Sequence, residues 1–253
     1  MLKNYGLKID EIKPEDYIFG SSPLPFEILE ESGDWTNSLP SKEAQNLNGI
    51  EPYACVAFII LSCIEVLIKR KYGIEVNYSD RFLAAVSGTK EGGNSVQIVC
   101  EFLRKVGVVP EELWPFGKDI DTFDKFYSPI PPKLYELAKE FNEKWEFKHE
   151  FVPSDNKKIK EALKCSPLAI SVVAWFENGG VYFQPTGLKD NHLTMLFKID
   201  KYKTVFDSYD PFIKNYELNT THLVIKRFWI KKKIQEKKQS WLARFLSKIT
   251  WEG

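Results

Sequence analysis

The sequence predicts an α+β fold, with helices in the first half of the chain and an antiparallel sheet in the second. Two patterns carry this prediction. A helical run of apolar residues begins beside Cys55, and after Pro132 short β-branched and aromatic runs are separated by Gly, Asn and Asp turns. Helices that precede the strands, instead of alternating with them, are typical of α+β proteins with two parts.

The helical pattern is longest between Ala54 and Tyr72. Its residues are apolar on every side, which predicts a buried helix, and Gly73 is suited to end it. Two more helices are predicted after it. One runs from about Ser79 to Val86 behind the cap-like stretch 77–80, and the other runs from about Ser95 to Val106 and ends at Gly107.

The second half of the chain changes its period from helical to strand-like. Residues 110–132 contain five prolines and predict an irregular connection between the two parts, and Lys157 to Cys165 predicts one short helix. The strand-like runs that follow are PLAISVVAWF, GVYFQP, HLTMLFKID, KTVFDSYD and THLVIKRFWI. We therefore expect a body over residues 34–230, with a helical part at about 50–115 and a sheet part at about 150–230.

The composition predicts a soluble protein without a metal or cofactor. No run of about 18 apolar residues is present, and the first 17 residues lack the apolar core of a signal peptide. The four cysteines have no metal-ligand spacing and are expected to be thiols. These features predict a cytoplasmic location.

Both ends of the chain differ from the body. Residues 1–33 have little helical periodicity and are expected to drape over the body in extended form. From Lys226 onward there are nine Lys or Arg and two acids, whereas residues 1–225 hold 26 bases and 33 acids. Residues 231–253 predict a basic amphipathic helix whose apolar positions lie between Ile234 and Ile249. It would bind an anionic membrane surface, a protein partner or the chain's own acidic body, while nucleic acid is not an expected partner.

Cys55 is the leading candidate for a nucleophile. At a helix N-terminus, unpaired backbone N–H groups and the helix dipole favour a thiolate, although a cysteine among apolar residues is also an ordinary buried hydrophobe. His192 opens a strand 137 residues later, and Asp207 ends the next strand, where its carboxylate could fix the imidazole tautomer. His149 and His222 are interpreted as surface or strand residues.

These residues lie in segments that resemble the papain-like cysteine peptidases. The resemblance covers about Asp34 to Ile230, and the segments follow the family's order at nearly its spacing. They are DW at residues 34–35, CVAFIILSCIE, NYSDRFLAAVSGT, EGGNSVQIVCEFLRKVGVVPEELWPF, DNHLTMLF and FDSYDPF. The resemblance implies a two-lobe fold, with a central helix that carries the cysteine and a barrel-like antiparallel lobe that carries the histidine and the aspartate.

The resemblance also implies roles for individual residues. Cys55 would be the nucleophile, His192 the general base and then acid, and Asp207 the residue that orients the imidazole. The oxyanion hole would combine the Cys55 backbone N–H with the Gln45 amide. Ten residues separate Gln45 from Cys55 where the family has six, so Asn46 and Asn48 are alternatives.

The implied substrate-binding residues surround a glycine pair. Gly92 and Gly93 would let an extended peptide lie against the backbone, because a side chain there would obstruct it. Asn94 and Asn191 flank the glycine pair and the histidine. Tyr209 stands where the family has a tryptophan that shields the histidine pair from water.

Departures from the family refine these expectations. Asp207 replaces the usual asparagine, as in the related peptidases that cut bacteriocin leaders, and an anionic partner should hold the imidazolium more tightly. Pro52 and Lys90 stand where the family has a disulfide pair, and Val56 replaces an aromatic residue. We expect a bacterial or bacteriophage enzyme, virion-associated if phage-encoded, that is either made active or restrained by residues 1–33.

The expected activity is thiol-dependent hydrolysis of peptide bonds in a peptide or protein substrate. One alternative is an amidase of the same fold that acts on a cell-wall peptide or another non-protein amide. A second alternative is a binding or structural protein of a larger assembly in which the triad is vestigial.

Overall fold

A computed structural model describes residues 3–21 and 23–234. Three helices in the first half match the predicted positions within one residue: α1 (Cys55–Tyr72), α2 (Asp80–Val86) and α3 (Val96–Val106). Gly73 ends α1 in the left-handed conformation, at a φ of 65°. The Ser79 and Ser95 side chains accept backbone N–H groups and cap α2 and α3.

Up to residue 234, three further α-helices lie beyond α3: α4 (Phe123–Phe126), α5 (Pro132–Lys144) and α6 (Asn156–Leu163). The sequence pattern predicts α6 but not α5. Pro132 begins α5, where its missing N–H costs nothing, and the helix buries Leu134, Ala138 and Phe141. It approaches the end of α3 so closely that a Cβ on Gly107 would lie 1.9 Å from the Ala138 carbonyl oxygen. The helical part therefore extends past residue 115.

In the part of the chain that the structure describes, ten strands form two sheets. The small sheet pairs β1 (Leu7–Lys8) with β2 (Asn94–Ser95) in parallel. The large sheet contains eight strands in the spatial order β3-β10-β4-β7-β8-β9-β6-β5, and all of its pairs are antiparallel except β6 with β9. Its strands are β3 (Trp145–Phe151), β4 (Leu168–Val172), β5 (Phe176–Asn178), β6 (Val181–Phe183), β7 (His192–Ile199), β8 (Lys203–Phe206), β9 (Ile213–Tyr216) and β10 (Ile225–Lys232).

The core lies between α1 and the large sheet. Thirteen of the eighteen residues of α1 are buried, which matches its apolar sequence. The helix contacts β7, β10 and β4 on one side and α2 and α3 on the other. A helix without a polar face is stable only when it is enclosed in this way.

The strand register brings His192 and Asp207 to the same end of two central strands of the large sheet. In the antiparallel pair of β7 and β8, Met195 lies opposite Phe206. His192 at the start of β7 and Asp207 just after β8 therefore lie near each other. The predicted α+β architecture, with helices first and an antiparallel sheet second, is confirmed.

The N-terminal segment contacts both parts of the body. Phe151 at the end of β3 donates its N–H to the Tyr17 carbonyl, and Phe19 donates to the Phe151 carbonyl. The Leu29 N–H donates to the Lys164 carbonyl behind α6. Residues 3–21 and 23–33 therefore run along the body, with turns at 14–16 and 19–21.

The C-terminal range differs from the prediction at its start. Lys231 and Lys232 belong to β10, because they pair with Glu146 and Trp145 of β3, and so no helix begins at residue 231. Ile234 is exposed, and the rest of the predicted amphipathic helix lies outside the described residues. None of the helices in residues 3–21 and 23–234 combines the length and apolarity needed to cross a membrane.

Candidate active site

Cys55 occupies the first turn of α1 and its side chain is fully buried. Burial raises the pKa of the thiol above its ordinary value, and the nearby charges of Glu51 and Asp207 raise it further. The backbone N–H groups of Leu193 and Val56 act in the opposite direction. The expected thiolate is therefore not favoured in this closed state, because a helix terminus contributes about 1 kcal/mol whereas desolvating a charge costs several.

His192 and Asp207 form a buried pair. The His192 Nε2 lies 2.8 Å from the Asp207 Oδ1, and both side chains are fully enclosed. Burial alone would raise the pKa of Asp207, but the charges and hydrogen bonds of His192 and Lys214 hold it below its ordinary value. With Nε2 donating to the carboxylate, Nδ1 is the nitrogen that can accept a proton. That Nδ1 has no hydrogen-bond partner among the described residues.

Aromatic rings cover the imidazole. The centroids of the Trp175 and Tyr209 rings lie 5.1 and 5.5 Å from the His192 ring, both with edge-on geometry. The Trp175 Nε1 also donates to the Asp207 Oδ2 at 3.0 Å. Tyr209 lies where the sequence predicted a shielding ring, whereas Trp175 was not predicted. Trp175 lies inside the predicted strand-like run PLAISVVAWF, although β4 ends at Val172, and nothing in that run indicates that the ring reaches the site.

Two charged residues near the pair were also missed. Lys214 of β9 places its Nζ 3.0 Å from the Asp207 Oδ2. Glu51 accepts a 2.6 Å hydrogen bond from the Tyr209 hydroxyl and lies 3.0 Å from the Gln45 Nε2. Glu51 reaches the site through its contact with Tyr209, which is distant in sequence, and Lys214 reaches it by the pairing of β8 with β9, so no local pattern marks either residue.

Among the three amides considered for the oxyanion hole, the structure places Gln45 at the site. Its side chain is fully buried, and its Nε2 lies 3.1 Å from the Tyr5 carbonyl oxygen. The Ser208 hydroxyl donates to its Oε1 at 2.9 Å and orients the amide. Asn46 is exposed. The Asn48 amide donates to the Gly117 and Ile120 carbonyls instead.

Residues 3–8, which we name the strap, lie against the predicted substrate-binding residues. The Tyr5 N–H donates to the Asn191 carbonyl at 3.0 Å, and the Asn191 side chain donates to the Lys3 carbonyl at 2.7 Å. The Asn94 N–H donates to the Gly6 carbonyl at 3.0 Å, and the Asn4 side chain donates to the Gly92 carbonyl at 3.1 Å. The Tyr5 ring also contacts the rings of Trp175, His192 and Tyr209. The strap thus joins the glycine pair to the histidine.

Glycines allow this close contact of backbone with backbone. Gly6 has a φ of +118°, and a Cβ there would lie 2.3 Å from the Tyr53 carbonyl oxygen. A Cβ on Gly93 would lie 2.0 Å from the Gly6 carbonyl oxygen. Gly92 has open space where a side chain would project. Neither contacting glycine can carry a side chain while the strap is in place.

Solved structures with a similar fold include several cysteine proteases. Xylellain, a cysteine protease from Xylella fastidiosa, is 18% identical with a TM-score of 0.65, over 92% of this chain and 97% of that one. Digestive procathepsin L 3 of Tenebrio molitor larval midgut is 15% identical with a TM-score of 0.58, over 88% of this chain and 75% of that one. The bromelain protease from Ananas comosus, in complex with the E64 inhibitor, is 17% identical with a TM-score of 0.57, over 80% of this chain and 98% of that one.

Comparisons by sequence give no further relative. No family model matches the chain, and no curated protein matches it. At the identities of the structural neighbours, the likeness shows the fold. The chain has the two-lobe fold of papain-like cysteine proteases, as the sequence predicted.

Proposed function

We propose that this chain is a thiol-dependent peptidase in which Cys55 is the nucleophile. The Sγ attacks the carbonyl carbon of a peptide bond while His192 takes the thiol proton, and the oxyanion accepts hydrogen bonds from the Cys55 N–H and the Gln45 amide. His192 then gives the proton to the leaving amine, which departs and leaves a thioester. Water, deprotonated by His192, attacks the thioester, and the products are a carboxylic acid and the restored thiol. Asp207 orients the imidazole throughout.

The observation that carries this proposal is the position of a peptide unit at the site. The Gln45 amide donates to the carbonyl of Tyr5, and the N–H of Tyr5 donates to the Asn191 carbonyl. The next strap residues pair with Asn94 and Ser95 as a strand. Main-chain pairing of this kind recognises extended polypeptide. It supports a peptide substrate over a non-peptide amide.

The peptide at the site belongs to the chain itself, so we propose that the strap restrains the enzyme. A substrate that pairs with Asn94 and Asn191 needs the same backbone groups that the strap uses. The strap must therefore leave before such a substrate binds. Gly6→Ala should displace it, because the new Cβ overlaps the Tyr53 carbonyl.

Covalent labelling with a peptide-like electrophile directed at cysteine peptidases tests both proposals. We expect one label per chain, mapped by mass spectrometry to Cys55 and lost in His192→Ala. Labelling should be about tenfold faster or more in Gly6→Ala. Gly20→Ala is the matched control, since Gly20 also has a positive φ in the N-terminal segment, but its nearest neighbour is the Lys158 Nζ at 3.5 Å.

The outcomes separate the candidate functions. Cleavage of a mixed peptide library by Gly6→Ala, lost in Cys55→Ser, supports the peptidase. Labelling of Cys55 without cleavage of any peptide favours another amide as substrate. Equal labelling of Cys63, Cys100 and Cys165, or none at all in Gly6→Ala, would contradict an activated Cys55 and favour a binding protein.

A further inference from the structure

The Asp207 carboxylate is surrounded by four hydrogen-bond donors. Oδ1 accepts from the His192 Nε2 at 2.8 Å and from the Tyr209 N–H at 3.1 Å. Oδ2 lies 3.0 Å from both the Lys214 Nζ and the Trp175 Nε1. One oxygen thus accepts a hydrogen bond from the imidazole, and the other forms an ion pair with the Lys214 ammonium.

Lys214 is enclosed around this contact. Its side chain is 2% exposed, and its Nζ also donates to the Tyr209 carbonyl at 2.7 Å and the Pro211 carbonyl at 2.6 Å. An ammonium group has three protons, and here three oxygens receive them. Burial lowers the pKa of Lys214, while the charge of Asp207 opposes that effect. The carboxylate is the nearest charge that can balance this buried cation.

The cation changes what the carboxylate does to the imidazole. A buried carboxylate alone stabilises a protonated imidazole strongly, since charges a few ångströms apart interact by several kcal/mol in a protein interior. A cation on the opposite oxygen cancels much of that field without breaking the hydrogen bond. An imidazole held too firmly as imidazolium is a poor proton donor to the leaving amine.

We infer that Lys214 is a positioning residue of the proposed reaction, which neutralises and fixes Asp207 so that it orients His192 without locking it as imidazolium. This inference rests on the proposed function. It also changes the expectation from sequence that an anionic third residue holds the imidazolium more tightly. Asp207 and Lys214 together present a hydrogen-bond acceptor with no net charge.

Other titratable groups face His192, Asp207 and Lys214, and they are the same residues in the wild type and in the variants of the test. They are Glu51 in the segment before α1, Cys55 at the start of α1, Lys3 and Tyr5 of the strap, Tyr209 and Asp210 after β8, Tyr182 of β6 and Tyr216 of β9.

The test is the pH profile of Cys55 alkylation by iodoacetate in the whole chain. The protonated imidazole attracts this anionic reagent, so the alkylation rate falls at the pH where the imidazolium loses its proton. This fall is the alkaline limb of the profile. In Lys214→Met we expect this alkaline limb to move up by about one pH unit or more. We expect kcat for peptide cleavage to fall about tenfold or more, with KM changed less than threefold.

Lys203→Met is the matched control. Lys203 lies on the neighbouring strand β8, is equally buried, and uses its Nζ on the Thr220 carbonyl and His222 instead of Asp207. Its loss should leave the limb within about 0.3 pH units of the wild type. A merely structural role for Lys214 would give both variants the same profile.

The double variant Asp207→Asn with Lys214→Met removes both charges and leaves neither partner buried alone. Its alkaline limb should return to within about 0.3 pH units of the wild type, even if Lys214→Met does not fold. A limb that stays in place in Lys214→Met, or a double variant displaced by a full unit, would overturn the inference. Alkylation needs no hydrolysis, so a limb that moves in a protein that cleaves no peptide would reject only the proposed function.

Discussion

Three amides upstream of Cys55 could complete an oxyanion hole, and their surroundings separate them. The Gln45 amide already donates to a carbonyl oxygen of the strap, whereas the Asn48 amide is bonded to the connection before α4 and Asn46 is exposed. In the strap-displaced Gly6→Ala background, we expect Gln45→Ala to lower kcat by about 10²–10³-fold. Steady-state kinetics on a peptide substrate measures this.

Asn46→Ala and Asn48→Ala are the controls for that prediction. Both should keep kcat within about threefold of the background, because their amides do not reach the site. A large loss in Asn48→Ala with little loss in Gln45→Ala would mean that the residues before α1 rearrange when the strap leaves.

The residues that the sequence predicted and those it missed differ in how they reach the site. Cys55, His192 and Asp207 sit at the ends of elements whose periodicity is local, so their places follow from the pattern. Trp175 and Lys214 contact Asp207 across 32 and seven residues of chain, from a turn and from a strand. A lysine in an alternating strand predicts an exposed side chain, and only the buried carboxylate makes this one an interior residue.

At the scale of the elements, the packing of α1 on α2 encloses a group of acids. Glu65 of α1 is buried and accepts the Tyr78 N–H, while Asp80 begins α2 and Glu111 lies nearby. Burial first, and then the other carboxylates, raise the pKa values of Glu65 and Asp80 well above their ordinary range. Burial raises the pKa of Glu111 to about 7.

The sign of the pH dependence follows from these shifts. A carboxyl group whose pKa is raised by folding makes its full contribution to stability at pH values below its ordinary pKa. This contribution is lost as the pH rises toward the raised pKa of the folded protein. Glu65→Gln should therefore be neutral near pH 4 and more stable than the wild type by about 1–3 kcal/mol at pH 8. Urea unfolding across this pH range measures the difference.

Glu75→Gln is the control for this prediction, since Glu75 is exposed and pairs with Lys69 near the end of the same helix. Its effect should stay small across the range. Destabilisation by Glu65→Gln at every pH would instead mean that the ionised carboxylate has a role an amide cannot fill.

Element prediction succeeded where the pattern was strong and failed where tertiary contacts decide. The apolar run of α1 and the alternating runs of β7 and β8 need no partner to be recognised. The helix α5 follows a proline-rich connection and has mainly charged residues on its outer side, and the sequence pattern did not predict it. The length of β10 depends on pairing with β3, which a local reading of the basic tail cannot supply.

For the whole molecule, the strap and a substrate should exclude each other. Hydrogen exchange should report this at the Tyr5 N–H, which donates to Asn191, and at the Asn94 N–H, which donates to Gly6. We expect exchange at Tyr5 to speed up by about tenfold or more once a peptide-like electrophile has reacted with Cys55. Asn94 should stay protected if the bound peptide replaces Gly6 as its acceptor.

Alkylation with iodoacetamide is the control, because this small reagent does not extend to Asn94 or Asn191. It should change exchange at Tyr5 much less than the peptide-like reagent does. Unchanged exchange at Tyr5 with both reagents would mean that the strap and the peptide bind side by side, which contradicts a shared site.

In the proposed function, the strap that pairs through β1 with β2 competes with the substrate while it is covalently tethered to the site. A tethered segment acts at a fixed effective concentration, set by the chain that connects residues 8 and 34, and not by the amount of protein. Dilution would not relieve such inhibition. A short peptide would have to exceed this local concentration to enter, whereas a substrate that binds through several contacts at once would displace the strap more readily. The strap would then act as an affinity threshold that selects among substrates before any bond is cut.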